Sequence, residues 1–207
     1  LIPKPHNKCG IDKRVIYHDL YIRKENATYT QIDLAVPTPQ GIIVFEVKDY
    51  SGWIFGNGNS KYWMQILAYG EEKHQFYNPI WQNRTHINAL RKLLPNNPDV
   101  PIFNIVVFYG NSEFKDLNYD TSGRVRVIYN TQVVELVKHI KSLPPAEYGN
   151  KREVAAVLAE GVRNGRDPEI RQAQKNLAAR AKANSHESHT YSSGWGFSRR
   201  FMRNILR

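Results

Sequence analysis

The sequence predicts an α/β sandwich: a mixed β-sheet flanked by helices, followed by a basic helical extension. Three observations carry that expectation. β-rich runs stand both before and after an amphipathic helix, which favours layers of helix on sheet. One run, PIFNIVVFY (101–109), is continuously apolar, as in a strand covered on both faces. The composition then shifts at Pro144, dividing the chain into 1–143 and 144–207.

In chain order, RVIYHDLYIR (14–23) reads as a short strand, and KENAT is a polar break. TQIDLAV (30–36) and GIIVFEVKDY (41–50) are β-rich, and the Pro37–Gly41 segment between them is turn material. SGWIFG and KYWMQIL flank Asn57-Gly58-Asn59, a second hairpin signal. Asn78-Pro79 supplies a cap and a first-turn proline for a helix whose apolar face is Ile80, Ile87, Leu90 and Leu94. Pro95 stops it. RVRVIY (124–129) predicts a strand, and TQVVELVKHIKSL (131–143) an amphipathic helix. PPAEYGN reads as a linker before two helical stretches, 152–164 and 168–183, and a Ser/Gly-rich, then basic, end.

The net charge is +10 with a pI near 9.7, a balance that favours an anionic partner such as nucleic acid. The stretch from Pro144 carries twelve Lys/Arg against six Asp/Glu. Apolar runs fall far short of the roughly 20 residues a membrane span requires. The first residues carry Pro, Lys and His instead of an apolar run, so no signal peptide is expected there. A single cysteine, Cys9, excludes an internal disulfide framework and fits a cytoplasmic setting.

Chemistry concentrates in QIDLAVPTPQGIIVFEVKDY (31–50), where Asp33, Glu46 and Lys48 sit in segments that otherwise want burial. If Pro37 pairs with Ile42, Asp33 falls opposite Glu46 and Gln31 opposite Lys48. Alternation then puts Glu46 and Lys48 on one face and Val47 on the other. Two facing carboxylates repel unless a cation lies between them. Oxygen ligands suit Mg²⁺ or Mn²⁺, and a nearby lysine can handle an attacking water or phosphate charge. Metal-assisted phosphodiester hydrolysis is the reaction such a patch serves. The bland alternative is a buried carboxylate–lysine ion pair.

TYTQIDLAV, GIIVFEVKDYSGWIFG, KYWMQ, YNPIWQNRTHINALRKLL and IVVFYGN, in that order, resemble the nuclease-related domain (NERD) family. This is a branch of the PD-(D/E)xK superfamily with a restriction-endonuclease-like fold. The resemblance implies a metal-dependent DNA endonuclease acting in bacterial defence or DNA processing; the sequence does not separate DNA from RNA. It assigns Asp33 and Glu46 as metal ligands, Val47 as a backbone-carbonyl ligand and Lys48 as the catalytic lysine. Gln82 matches the glutamine of an NPxxQ element and, with His86, a Q-x-x-x-H helix feature, in which the two could touch DNA phosphates or steady Lys48. Gln31, Arg84 and His86 are the expected nucleic-acid contacts. The family usually adds a glutamate from a helix ahead of the first strand. No equivalent precedes Val15, since Asp12 reads as loop and Asp19 as strand.

The competing function is a nucleic-acid-binding or assembly module with a vestigial site. The C-terminal helices are expected to serve as a DNA-backbone arm or, through the stripe Val154, Val157, Leu158 and Val162, as a docking surface for a partner or second copy. A membrane-surface role ranks below both. The Trp53, Tyr62, Trp63 and Trp81 group is expected to pack rather than stack on bases, and His186 and His189 to lie in a solvated loop.

Overall fold

The computed structural model describes residues 8–67 and 70–184. In chain order the strands are β1 (Tyr17–Arg23), β2 (Tyr29–Thr38), β3 (Gly41–Asp49), β4 (Gly52–Asn57), β5 (Tyr62–Leu67) and β6 (Glu72–Tyr77). Helix α1 (Pro79–Lys92), β7 (Ile102–Tyr109), β8 (Ser112–Asn118) and β9 (Val125–Tyr129) come next, then α2 (Val133–Ser142), α3 (Lys151–Arg166) and α4 (Pro168–Asn184). The mixed sheet flanked by helices is present, with its strands in the order β1-β2-β3-β7-β9. β1–β2 and β2–β3 pair antiparallel, while β7 lies parallel to β3 and β9 to β7.

β3 sits between β2 and β7 and is buried along nearly its whole length. Its side chains alternate between two cores. Ile43, Phe45 and Val47 join Val133, Val137 and Ile140 of α2, whereas Ile42 and Val44 join Leu90 of α1 and Leu158 of α3. The result is helix on both faces of a mixed sheet, as α/β patterning requires.

A smaller sheet, β6-β5-β4-β8, makes a third core with Ile54, Trp63, Phe76 and Phe108. Its edge strands, EKHQFY and SEFKDLN, are absent from the sequence-based expectation. Both are polar and largely exposed, which is how edge strands avoid pairing with other chains but also what hides their β signal. Trp63 is buried, and Trp63 and Trp81 donate their indole N–H groups to Asn57 O and Gly58 O at 3.0 and 2.8 Å, so these two aromatics pack as expected.

Two asparagines lock α1 in place. Asn78 caps the helix by accepting from Ile80 N–H at 2.9 Å, while its amide donates to Ser60 O at 2.8 Å in the β4–β5 turn. Fully buried Asn83 donates to Val44 O at 3.0 Å and Asn104 Oδ1 at 2.8 Å, bridging β3 and β7. Asn83→Ala is expected to lower stability by about 2–4 kcal/mol in urea unfolding, because Asn104 Oδ1 and the Val44 carbonyl lose a buried donor.

The apolar stripe of α3 requires a correction. Val154 and Leu158 are buried in this chain's own core against β1 and β2, with Val157 and Val162 packed beside them. The stripe is therefore not free to dock a partner. Gly161 makes the close approach possible, since a Cβ there would stand 3.1 Å from Leu20 Cβ. Asn97 fastens the start of α3 by donating to Asn150 O and Glu153 Oε2 at 3.0 and 2.6 Å. The fold thus continues past Pro144 through α3. The expectations for His186, His189 and the basic end fall outside the described residues. No helix among the described residues is long and apolar enough to cross a membrane.

Candidate active site

The β2–β3 register matches the expectation at the hairpin: Pro37 pairs with Ile42, and Thr38 with Gly41. The Thr38 hydroxyl closes the turn by donating to Gly41 O at 2.9 Å and accepting from Gln40 N–H at 3.2 Å. The ladder then ends at Leu34–Phe45. Beyond it the Val47 N–H donates to Asp33 Oδ2 at 2.8 Å, so a side chain replaces the missing backbone partner. Within a strand the N–H and C=O of one residue point to the same side. The Val47 carbonyl therefore also faces Asp33.

Glu46 and Lys48 share the face covered by α1, as alternation requires. Lys48 Nζ donates to Glu46 Oε1 and to Gln82 Oε1, each at 2.8 Å. His86 Nε2 lies 3.3 Å from Glu46 Oε2, and its Nδ1 is 2.6 Å from the Thr30 hydroxyl. A carboxylate beside Nε2 favours a proton there, with Thr30 donating to Nδ1. The four-residue spacing of Gln82 and His86 puts both on the buried side of α1. Gln82 steadies Lys48, one of its two expected roles, and His86 positions Glu46 from a buried place instead of offering itself to a phosphate.

Gln31 does not join this patch. It pairs with Tyr21 of β1, whose hydroxyl donates to Gln31 Oε1 at 3.4 Å. Arg84 lies on the exposed side of α1, its guanidinium 5.5 Å from the Trp81 ring centre. Thr30 and Asn83 were missed in the sequence. Neither type announces a site, and only the fold reveals that Thr30 holds His86 and Asn83 holds the helix.

Burial and charge act differently on the two carboxylates. Asp33 is pushed well above the usual aspartate range, first by burial and then by the neighbouring Glu46 charge. For Glu46, burial works upward but is outweighed by Lys48 and His86, and the group is held below its ordinary value. Lys48 suffers the same burial, yet Glu46 holds its pKa above the ordinary value. No Lys, Arg or His forms an ion pair with Asp33 among the described residues.

The sequence model of the nuclease-related domain, NERD, matches residues 6–109, half of the chain. The chain belongs to this family. The PD-(D/E)xK nuclease superfamily is the general context of NERD. A relative with 29% identity over 150 residues is an uncharacterized protein of Bacillus anthracis, pXO1-01, with 72% of this chain and 67% of that protein covered. No solved structure matches significantly.

The NERD match spans Asp33, Glu46, Lys48, Gln82 and His86 and ends with β7. Asp33 and Glu46 with the Val47 carbonyl form an all-oxygen donor set of the kind hard divalent cations take. A buried carboxylate strained by its neighbour, with no ion pair of its own among the described residues, fits such an ion. Among the described residues no three His, Cys, Asp or Glu side chains converge to hold a metal. An ion held there would have to complete its shell with water.

Proposed function

We propose that this NERD protein is a Mg²⁺- or Mn²⁺-dependent DNA endonuclease that hydrolyses phosphodiester bonds in the cytoplasm, in bacterial defence or DNA processing. One observation carries the reading: Asp33 is a buried carboxylate with no Lys, Arg or His ion-paired to it among the described residues, set beside a Glu46–Lys48 pair that Gln82 also holds.

Asp33, Glu46 and the Val47 carbonyl would hold the ion, which when bound supplies charge neutralisation at the phosphate and activation of the attacking water. The remaining steps belong to the chain. Lys48 has three N–H donors, two of which go to Glu46 and Gln82. The third is left to bind the scissile phosphate or orient the water. Gln82 and Glu46 fix the ammonium, and His86 and Thr30 fix Glu46, so the donor is placed before the substrate arrives. The net charge of +10 supplies affinity for the phosphate backbone independently of sequence.

The bare-module alternative predicts the same binding without chemistry. Incubating the protein with supercoiled plasmid and single-stranded DNA separates them. Nicked or shortened products are expected with Mg²⁺ or Mn²⁺ and none with a chelator. Intact DNA under every divalent ion would leave the binding module as the better reading.

A further inference from the structure

A cavity of about 570 Å³ lies between β7 and α2, on the sheet face opposite Glu46 and Lys48. That is an ordinary size for a small-ligand pocket. Phe103 of β7, with Leu136, Ile140 and Leu143 along and just past α2, makes it an apolar trough. Leu143 is 36% exposed, so the trough opens to solvent with an apolar lip. Polar groups stand at its two ends, Gln40 at one and Arg124 at the other, and no Asp or Glu lines it.

Both ends are fixed by hydrogen bonds. The tip of the β2–β3 hairpin is tied down where Ala146 N–H donates to Pro39 O at 2.8 Å and the Tyr148 hydroxyl donates to Thr38 O at 2.7 Å. Gln40, although it sits in a two-residue turn, is therefore only 9% exposed. Its Oε1 is shut off from water and has no hydrogen-bond partner among the described residues. A buried amide oxygen left this way calls for an explanation. At the other end Arg126 holds the loop before β9, donating to Thr121 O and Gly123 O at 2.8 and 2.9 Å, and lies near Asp120. Arg124 is exposed and makes no ion pair among the described residues, and His139 of α2 adds an imidazole to the lining.

We propose that this cavity binds a nucleoside monophosphate, with its base on Phe103 and Gln40 and its phosphate on Arg124. An amide offers a donor and an acceptor side by side, which matches the paired acceptor and donor on an adenine edge. The last torsion of a glutamine is broad, so the Gln40 amide can turn both ends to a base without leaving its place. An aromatic ring among aliphatic side chains suits a planar base, and a guanidinium fork suits phosphate oxygens. The spacing also fits. Ile42 N–H donates to Pro101 O beside Gln40, and Asn104 N–H donates to Arg124 O, each at 2.8 Å. The two ends are thus three residues of β7 apart, about 10 Å of strand, which is the order of a nucleotide from base edge to phosphate. A fatty acid would use Arg124 but leave Gln40 Oε1 without a partner. The proposal does not rest on the nuclease reading, because the carboxylate patch lies on the other face of the sheet.

The test is calorimetric titration in chelator with AMP, adenosine and inorganic phosphate, on wild type, R124A, Q40L, L136W and D33N. AMP is expected to bind the wild type and raise its thermal midpoint, and phosphate alone to do neither. R124A is expected to bind AMP about tenfold or more weakly and adenosine as the wild type does, because only charge-assisted bonds are lost. Q40L is expected to weaken both ligands yet melt no lower than wild type, since it removes a buried acceptor that has no partner. L136W, which fills the trough, is expected to lose both, and D33N to bind AMP normally. Arg124 is exposed, so R124A carries the test even if L136W fails to fold. A wild type that ignores millimolar AMP overturns the proposal. So does an AMP affinity unchanged in R124A and Q40L, or lost in D33N, since the nucleotide then sits elsewhere. Phosphate binding as tightly as AMP would reduce the cavity to an anion site and overturn it too.

Discussion

Asp33→Asn is expected to abolish metal-dependent cleavage and to weaken Mn²⁺ binding sharply, while the metal-free protein becomes no less stable than wild type. The amide oxygen still accepts from Val47 N–H, so the fork between β2 and β3 keeps its one bond. What disappears is a buried negative charge beside Glu46. A carboxyl whose folded pKa is raised weakens the fold as pH climbs from its unfolded value through the folded one. The midpoint advantage of the amide variant is therefore expected to grow across that window and to vanish in acid, where both carboxyls are protonated. DNA affinity should persist, because it rests on phosphate contacts elsewhere. Thermal melts against pH, Mn²⁺ titration and a plasmid assay read all three. Full cleavage by the Asp33→Asn protein would remove Asp33 from the chemistry. Glu46→Gln is a poorer probe, since Glu46 also holds Lys48 and faces His86, and its loss strands a buried ammonium.

The contrast between these two carboxylates marks how far the sequence could be read. Asp33, Glu46 and Lys48 were legible because charges in apolar β runs are expensive and the hairpin register follows from its turn. The Gln82–Lys48 contact was legible as one of two options. Gln31 was placed opposite Lys48 by extending the register, and there the extrapolation failed. The ladder stops at Leu34–Phe45, and β2 beyond that point answers to β1 instead. A docking surface is one of the two readings the α3 stripe allows, because local periodicity says that a face is apolar without saying what covers it. Only the fold shows β1 and β2 beneath Val154 and Leu158. Asp19 was read as an ordinary strand residue, because a positive φ on an aspartate, 54° here, leaves no mark in sequence.

Lys48→Met separates a chemical lysine from a structural one. Lys48 and Glu46 form a buried ion pair at 2.8 Å, so the bland reading has a real contact behind it. Removing the ammonium leaves Glu46 buried between Asp33 and His86 without its lysine, and the metal-free midpoint is expected to fall. Saturating Mg²⁺ should restore it by binding the native state, since Asp33 and Glu46 both remain. Stability alone therefore decides nothing, and the comparison belongs at full metal occupancy. If Lys48 only neutralises Glu46, single-turnover cleavage there should approach the wild-type rate. If its third N–H serves the phosphate or the attacking water, the rate should stay down by orders of magnitude although metal and DNA bind, a loss confined to the transition state. The second outcome is expected, because Gln82 holds the ammonium at 2.8 Å in addition to its charge partner. That contact satisfies a buried N–H and also fixes the direction in which the remaining proton is presented. A near-normal rate at saturating Mg²⁺ would make Lys48 structural and sink the mechanism.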